Sequence, residues 1–436
     1  MEARKDSSGA RPPRGGGGKD RLSNLPVDVL GSILSFLPIK EAARAAALCR
    51  TWRHAFAGVD AISFVQHEAH DDYSHTFIKQ SEEKRGRNGW FIDEVNAALL
   101  CRRRCGSHTA PRFFRVGFGC YHWWDEPMLN RWLFYVLNQS AQELHLDLRL
   151  HHVKVRDHPS VHGQEVYGES DDADVDKCPV YTPYDAQVYT IPARLFSCVA
   201  IRTLCLGACS LETPEVIHLP LLETLLLSTI RSTGNNIQRL ISGCPRLVDL
   251  TLERCGYTDA HYRNPLLDPN FTITILDKHL RRLALPCCHD LVRVSVDASE
   301  LKVLEYRGGV PPELFLNLHG PHKIASCTIS FCGKKVYKED LLPFRNFLER
   351  WSMGTRHLHL DSTRLGSDIE SQFFMGFPWF PSLVRLELTG HLGGHNIDAV
   401  ARILQQAPSV ETLSLFMKPK YERGCPNVGR LERAHG

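Results

Sequence analysis

One short phrase, Leu-x-Leu, recurs along this 436-residue chain and constrains its fold more than any other feature. It reads Leu144-His145-Leu146, Leu204-Cys205-Leu206, Leu225-Leu226-Leu227, Leu250-Thr251-Leu252 and Leu283-Ala284-Leu285. It continues as Leu304-Glu305-Tyr306, Leu358-His359-Leu360, Leu386-Glu387-Leu388 and Leu413-Ser414-Leu415. Phe114-Arg115-Val116-Gly117-Phe118 and Cys327-Thr328-Ile329 are weaker members. Apolar residues two apart fall on one side of a strand, so each phrase predicts a short strand with one buried face. From Leu204 onward the first positions are separated by 21, 25, 33, 21, 23, 31, 28 and 27 residues. A unit of that length has room for one strand, a turn and a return path.

Helix-like pieces fill some of those intervals. Ile237-Gln238-Arg239-Leu240-Ile241 is one. Another, Ile397 to Leu404, places Ile397, Val400, Ala401 and Leu404 on a single face. Strand, turn, helix and return, repeated, is the unit of a leucine-rich-repeat solenoid, whose period runs about 20–29 residues. The expected fold class is therefore α/β, a curved parallel sheet with outer helices and loops. A doubly wound sheet also alternates strands and helices, but it would not repeat one phrase with so few glycine-rich turns. The 60-residue interval from Leu144 to Leu204 is the exception. It holds a tract from Glu169 to Asp176 with Asp171, Asp172 and Asp174. That is too polar for a repeat and reads as an excursion loop or disordered insert over about 151–190.

The N-terminal region follows a different period. Residues 1–19 are rich in Gly, Pro, Arg and Ser and are expected to form a disordered tail. Beyond it, Val29, Leu30, Ile33, Leu34 and Leu37 repeat at helical spacing. Asn24 suits a helix cap, Pro26 the first turn, and Asp28 the positive end of the dipole, with Pro38 closing the helix. A second helix is expected near Ile39 through the alanine-rich stretch to Leu48, and a short third one carrying Trp52 and Phe56. The predicted division is a helical unit at 20–57, a linker or start of the repeat region at 58–110, and repeats over 111–431. A unit of about 40 residues needs help to stay folded, either by packing on its own chain or on a partner.

Charge excludes some functions. The chain has 52 basic and 49 acidic side chains, a net charge of +3. Residues 1–21 hold six of the bases and three of the acids, so the remainder carries 46 of each. No nucleic-acid partner is expected from so even a balance. No stretch approaches the roughly 20 apolar residues of a membrane helix, and the N-terminus has no apolar core of a secretory signal. Fifteen scattered cysteines, an odd number, read as small buried hydrophobes in a reducing compartment. A cytoplasmic or nuclear location follows as the expectation.

The segment Asp20-Arg21-Leu22-Ser23-Asn24-Leu25-Pro26-Val27-Asp28-Val29-Leu30, with Ile33-Leu34-Ser35-Phe36-Leu37-Pro38 and Leu48-Cys49-Arg50-Thr51-Trp52-Arg53, resembles the F-box motif. Together with the repeats it is similar to the plant family of F-box/leucine-rich-repeat proteins. The phrases Ile191-Pro192-Ala193-Arg194-Leu195-Phe196 and Ser242-Gly243-Cys244-Pro245-Arg246-Leu247 lead into strands as that family's do. The resemblance implies a substrate-recognition adaptor of an SCF-type ubiquitin-protein ligase, in which the F-box binds a Skp-family adaptor and the repeats bind a protein substrate. It implies adaptor-binding roles for Leu25, Pro26, Ile33, Leu34, Leu37, Pro38, Leu48, Cys49 and Trp52. Val27 departs from the family, which often has an acid there. The alternative is a repeat scaffold that works outside a ligase. Near the end, Gly424-Cys425-Pro426 repeats the lead-in at Gly243-Cys244-Pro245 without a strand to follow, so the array is expected to end on an open repeat.

Enzyme signals are weak. Gly18-Lys19-Asp20 lacks the Ser/Thr of a phosphate loop, and His67-Glu68-Ala69-His70 spaces its histidines by three, not four. No Gly-x-Ser-x-Gly elbow occurs. Cys101, Cys105 and His108, or Cys287, Cys288 and His289, lack paired Cys-x-x-Cys spacing. No catalytic residue, cofactor or metal is expected. The strand residues between the leucines should instead face outward and meet the substrate on the concave side. His145, Asp147, Thr251 and Ser414 belong to that set. His357, His359, Arg385, Glu387 and Glu305 are the candidates for contact, because they mix donors and acceptors. Two histidines would make such binding sensitive near neutral pH.

Overall fold

In this computed structural model the described residues are 22, 25–37, 39–66, 77–104, 111–121, 123–150, 188–255, 271–276, 279–288, 291–311, 315–319, 324–331, 337–362, 372–374, 376–390 and 397–417. Three short helices come first: α1 (Val27–Ser35), α2 (Ile39–Leu48) and α3 (Arg50–Ala57). Pro26 is the N-cap of α1, its ring fixing the entry angle while its carbonyl accepts from the Leu30 N–H at 3.0 Å. Asn24 and Pro38, expected as cap and stop, lie outside the described residues. The break between α2 and α3 is one residue, Cys49, held extended at φ −154°. Gly31 sits where α1 crosses α3, and a methyl group there would stand 3.3 Å from the Ala55 carbonyl oxygen. Glycine lets the two backbones approach that closely.

The sheet begins directly after this unit. Strand β1 (Ala61–Val65) is followed by the long helix α4 (Phe77–Arg104), β2 (Phe113–Tyr121), α5 (Glu126–Asn138) and β3 (Glu143–Leu150). Then come β4 (Thr203–Gly207), β5 (Thr224–Ser228), α6 (Gly234–Ser242), β6 (Asp249–Glu253), β7 (Thr272–Ile275) and β8 (Arg282–Pro286). The chain goes on through β9 (Arg293–Val296), β10 (Val303–Gly308), β11 (Leu316–Leu318), β12 (Ser326–Phe331) and α7 (Leu341–Glu349). It closes with β13 (His357–Asp361), β14 (Arg385–Gly390), α8 (Ile397–Gln406) and β15 (Thr412–Met417). Twelve strands form one parallel sheet in the order β1-β2-β3-β4-β5-β6-β8-β10-β12-β13-β14-β15. A smaller parallel sheet, β11-β9-β7, gives those repeats a second strand on the return path. Neither β1 nor α4 was expected from the sequence. Both lie in the stretch assigned to a linker or the start of the repeats.

Register explains the recurring phrase. Leu144, Leu204, Leu225, Leu250, Leu283, Leu304, Cys327, Leu358, Leu386 and Leu413 are all paired across one inward row. The row is buried from Leu144 to Leu386, and each such leucine contributes about 1.5–3 kcal/mol of burial. A slip of one residue would turn the whole row to solvent. The carbonyl before a strand also accepts two successive N–H groups of the next strand. Gln142 takes Arg202 and Thr203, Arg202 takes Glu223 and Thr224, and Glu223 takes Val248 and Asp249.

At the far end of four strands stands a left-handed residue: Ala208, Thr229, Arg254 and Cys287, with φ between 49° and 61°. None is glycine, so each costs on the order of 1–2 kcal/mol. The return is a hydrogen bond outward to the next strand, as from the Ala208 N–H to Ser228 at 2.9 Å. The turn also drives the following side chain into the core: Cys209, Ile230, Cys255 and Cys288 are buried. The Cys288 thiol donates to the Leu252 carbonyl at 2.9 Å and Cys255 to Leu227 at 3.4 Å. Burial pushes the Cys209 thiol well above its ordinary range. Strands β3 and β4 are neighbours despite the long interval between them. Residues 151–187 lie outside the described residues, as does the C-terminal lead-in at 424–426. The insert's expected end at 190 is already structural, because Thr190 bridges to Ser210.

Candidate functional site

Two surfaces differ from an ordinary solvated exterior. The first is the helical unit. Leu30, Gly31 and Leu34 are the inward face of α1, Ala42 and Ala46 that of α2, and Ala55 and Phe56 that of α3. Leu34, expected at the adaptor face, is 0% exposed. Its contribution to any partner is to hold α1 in place, not to touch. Leu25 and Trp52 are partly buried against the same core, and Ile33 and Cys49 are half-buried. Pro26, Leu37 and Leu48 are exposed, Leu48 to 80%. Pro38 lies outside the described residues. The sequence reading missed Phe36, which is 87% exposed, and the exposed Leu22, Val27 and Val29. Val29 and Phe36 are seven residues apart, on a side of α1 turned away from Leu30 and Leu34. That spacing was the signal available to find them. So many large apolar side chains on so small a unit mark a docking surface.

This unit is tied to the array through α4. Lys40 of α2 pairs with Glu94 of α4 at 2.9 Å. Arg102, buried, donates to the carbonyls of Phe56 at 3.4 Å and of Val59, at the end of α3. Burial pulls the Arg102 pKa down, with Tyr135 and Asp60 acting the other way. On its other flank α4 meets α5, where the Trp132 indole donates to Asn96 at 2.9 Å. Phe91 stacks edge-on against Phe118 of β2 with ring centres 5.1 Å apart.

The second surface is the open face of the large sheet. His357 is paired in register with Arg385, and His359 with Glu387. These four candidates therefore adjoin. Arg385 and Glu387 are linked to each other at 2.7 Å, and His359 meets the Thr389 hydroxyl at 3.3 Å. Glu305 is not with them: β12 lies between its strand and β13. It grips Arg282 through both oxygens, at 3.0 and 2.9 Å. The same guanidinium reaches Asp249 at 2.8 Å and Thr251 at 3.1 Å. Donating to Glu305 raises the Arg282 pKa most, against the effect of burial. Asp249, Arg282 and Thr389 were not singled out from sequence, although Asp249 and Arg282 immediately precede inward leucines and so had to face outward.

Nearer the helical unit, His145 lies 3.7 Å from the Cys205 sulfur and its ring 4.9 Å from that of Phe113. Burial, then Arg115, holds the His145 pKa below its usual value. Burial pushes the Cys205 thiol up to about 11, so it stays protonated and is a poor nucleophile near neutral pH. Among the described residues no group of three or more His, Cys, Asp or Glu side chains is placed to hold a metal ion. Cys105, His108 and His289 fall outside them. No described helix is long and apolar enough to cross a membrane.

Comparison with known proteins agrees with both halves. Residues 22–60 match the F-box domain, and residues 177–307 match the leucine-rich repeats of the FBD-associated F-box protein At5g56370. The F-box/LRR-repeat protein At3g59200 of Arabidopsis thaliana is 23% identical over 94% of this chain and 72% of its own length. The F-box/LRR-repeat protein At2g42730 of the same plant is 24% identical over 92% of this chain and 77% of its own. A third, At4g14103, is 27% identical over 54% of this chain and 50% of its own length. The chain thus carries an F-box domain and a matched stretch of leucine-rich repeats, and along nearly its full length it is similar to F-box/leucine-rich-repeat proteins.

Proposed function

We propose that this chain is the substrate-recognition adaptor of an SCF-type ubiquitin-protein ligase, acting in the cytoplasm or nucleus. The F-box would dock a Skp-family adaptor and the open strand face would hold a protein substrate. The observation that carries the reading is the exposed apolar surface of the F-box, above all Phe36 and Leu48, on helices whose inner faces are already filled. F-box domains generally bind Skp-family adaptors, and this surface is what such docking needs. The chain's contribution to ubiquitin transfer is then proximity: it holds the substrate near a charged conjugating enzyme supplied by other subunits.

The test is capture of a purified Skp-family adaptor by the full chain and by a Phe36→Ala/Leu48→Ala variant. Two exposed anchors removed together should weaken binding at least a hundredfold, at about 1.4 kcal/mol for each tenfold. Melting should stay unchanged, because neither side chain is in the core. Undiminished capture by the variant, or none by the wild type, would leave the repeats as a scaffold outside a ligase.

A further inference from the structure

We propose that the adaptor-docking surface extends past the F-box onto α4, with Trp90 as a further contact residue. This rests on the adaptor reading above. Trp90 is 82% exposed, more than any other tryptophan among the described residues, and the F-box match ends at residue 60, well before it.

Its position follows from the bonds that orient α4. Phe91, Val95, Ala98, Leu99 and Arg102 form the buried face of this helix. Glu94 lies on one flank, paired with Lys40 at the start of α2, and Asn96 on the other, bonded to Trp132 of α5. Trp90 precedes Glu94 by four residues, one helical turn, and so shares the flank that faces the F-box. Between Glu94 and Arg102 the helix runs from the start of α2 to the end of α3, where Arg102 meets Phe56 and Val59. One turn back from Glu94 therefore carries Trp90 past Lys40, at the start of α2, toward the turn that exposes Phe36 and Leu37. The exposed apolar groups of that turn and Trp90 then stand on the two sides of the charged Lys40–Glu94 pair, within reach of one partner. Tryptophan is among the residue types most enriched at interface hot spots. Leu100, half-exposed on the opposite flank of α4, serves as the control.

The experiment is titration of a purified Skp-family adaptor into the full chain by calorimetry, with Trp90→Ala, Trp90→Phe and Leu100→Ala beside the wild type. Trp90→Ala should weaken binding about tenfold, Trp90→Phe about threefold or less, and Leu100→Ala less than about twofold. All should melt like the wild type. If Trp90→Ala binds within about twofold of wild type while Phe36→Ala/Leu48→Ala does not bind, the extension is wrong and the F-box reading stands. If the wild type itself does not bind, the reading and the extension fall together.

Discussion

The F-box surface and the open face of the sheet present opposite chemistry on one continuous core. The F-box exposes Phe36, Leu37, Leu48 and Val29, large apolar groups flanked by charged ones such as Lys40 and Arg44. The open face exposes Arg282, Glu305, Arg385 and Glu387, each already paired within its own sheet. Affinity for the first surface would come from area removed from water, which is large and tolerant of sequence. At the second, a partner must compete with ion pairs that already exist, so its gain is smaller and its specificity higher. A common docking partner and a selective one suit these two faces in that order.

The sharpest way to break this comparison is to separate fold from docking. Leu250→Ala removes a fully buried member of the inward row and should destabilise the repeats by about 2–5 kcal/mol. It should leave adaptor binding intact, since the residue lies on the sixth of twelve strands, far from α1. Denaturant unfolding together with adaptor titration checks both halves. Loss of adaptor binding at a concentration where the F-box helices remain folded would show that the two regions are not separable.

A smaller effect is expected on the polar face. Charge reversal at Arg385 and Glu387 combined with His359→Ala should weaken substrate capture by roughly tenfold and change melting little, because partly exposed pairs contribute only about 0–1 kcal/mol. Mass spectrometry of captured proteins, wild type against variant, gives the readout. Unchanged recovery would move the site toward Arg282 and Glu305 or the 151–190 insert.

The parts of this molecule that repeat were legible from its sequence, and the reason is the strand period. Leu-x-Leu commits the leucines to one side, so the buried row and the outward identity of His359 and Glu387 followed together. Strand β1 escaped because Ile62 and Phe64 carry the same alternation without the leucine phrase. Helix α4 escaped because it has no such phrase, and its fit depends on partners far away in sequence: Lys40, Phe56, Val59 and Trp132. Glu305 was grouped with the histidines on chemistry alone, whereas sheet order separates them and gives it to Arg282. That Leu34 lies inward and Phe36 outward was not legible, because a motif records which residue types recur, not which face each one meets.

The most direct test of the account is hydrogen–deuterium exchange on the full chain with and without a purified Skp-family adaptor. The account predicts slowed exchange across α1, α2 and α3, and around Trp90 in the middle of α4, with no change in β13 or β14. Protection that appears on those strands, or protection nowhere in residues 25–57, would contradict it.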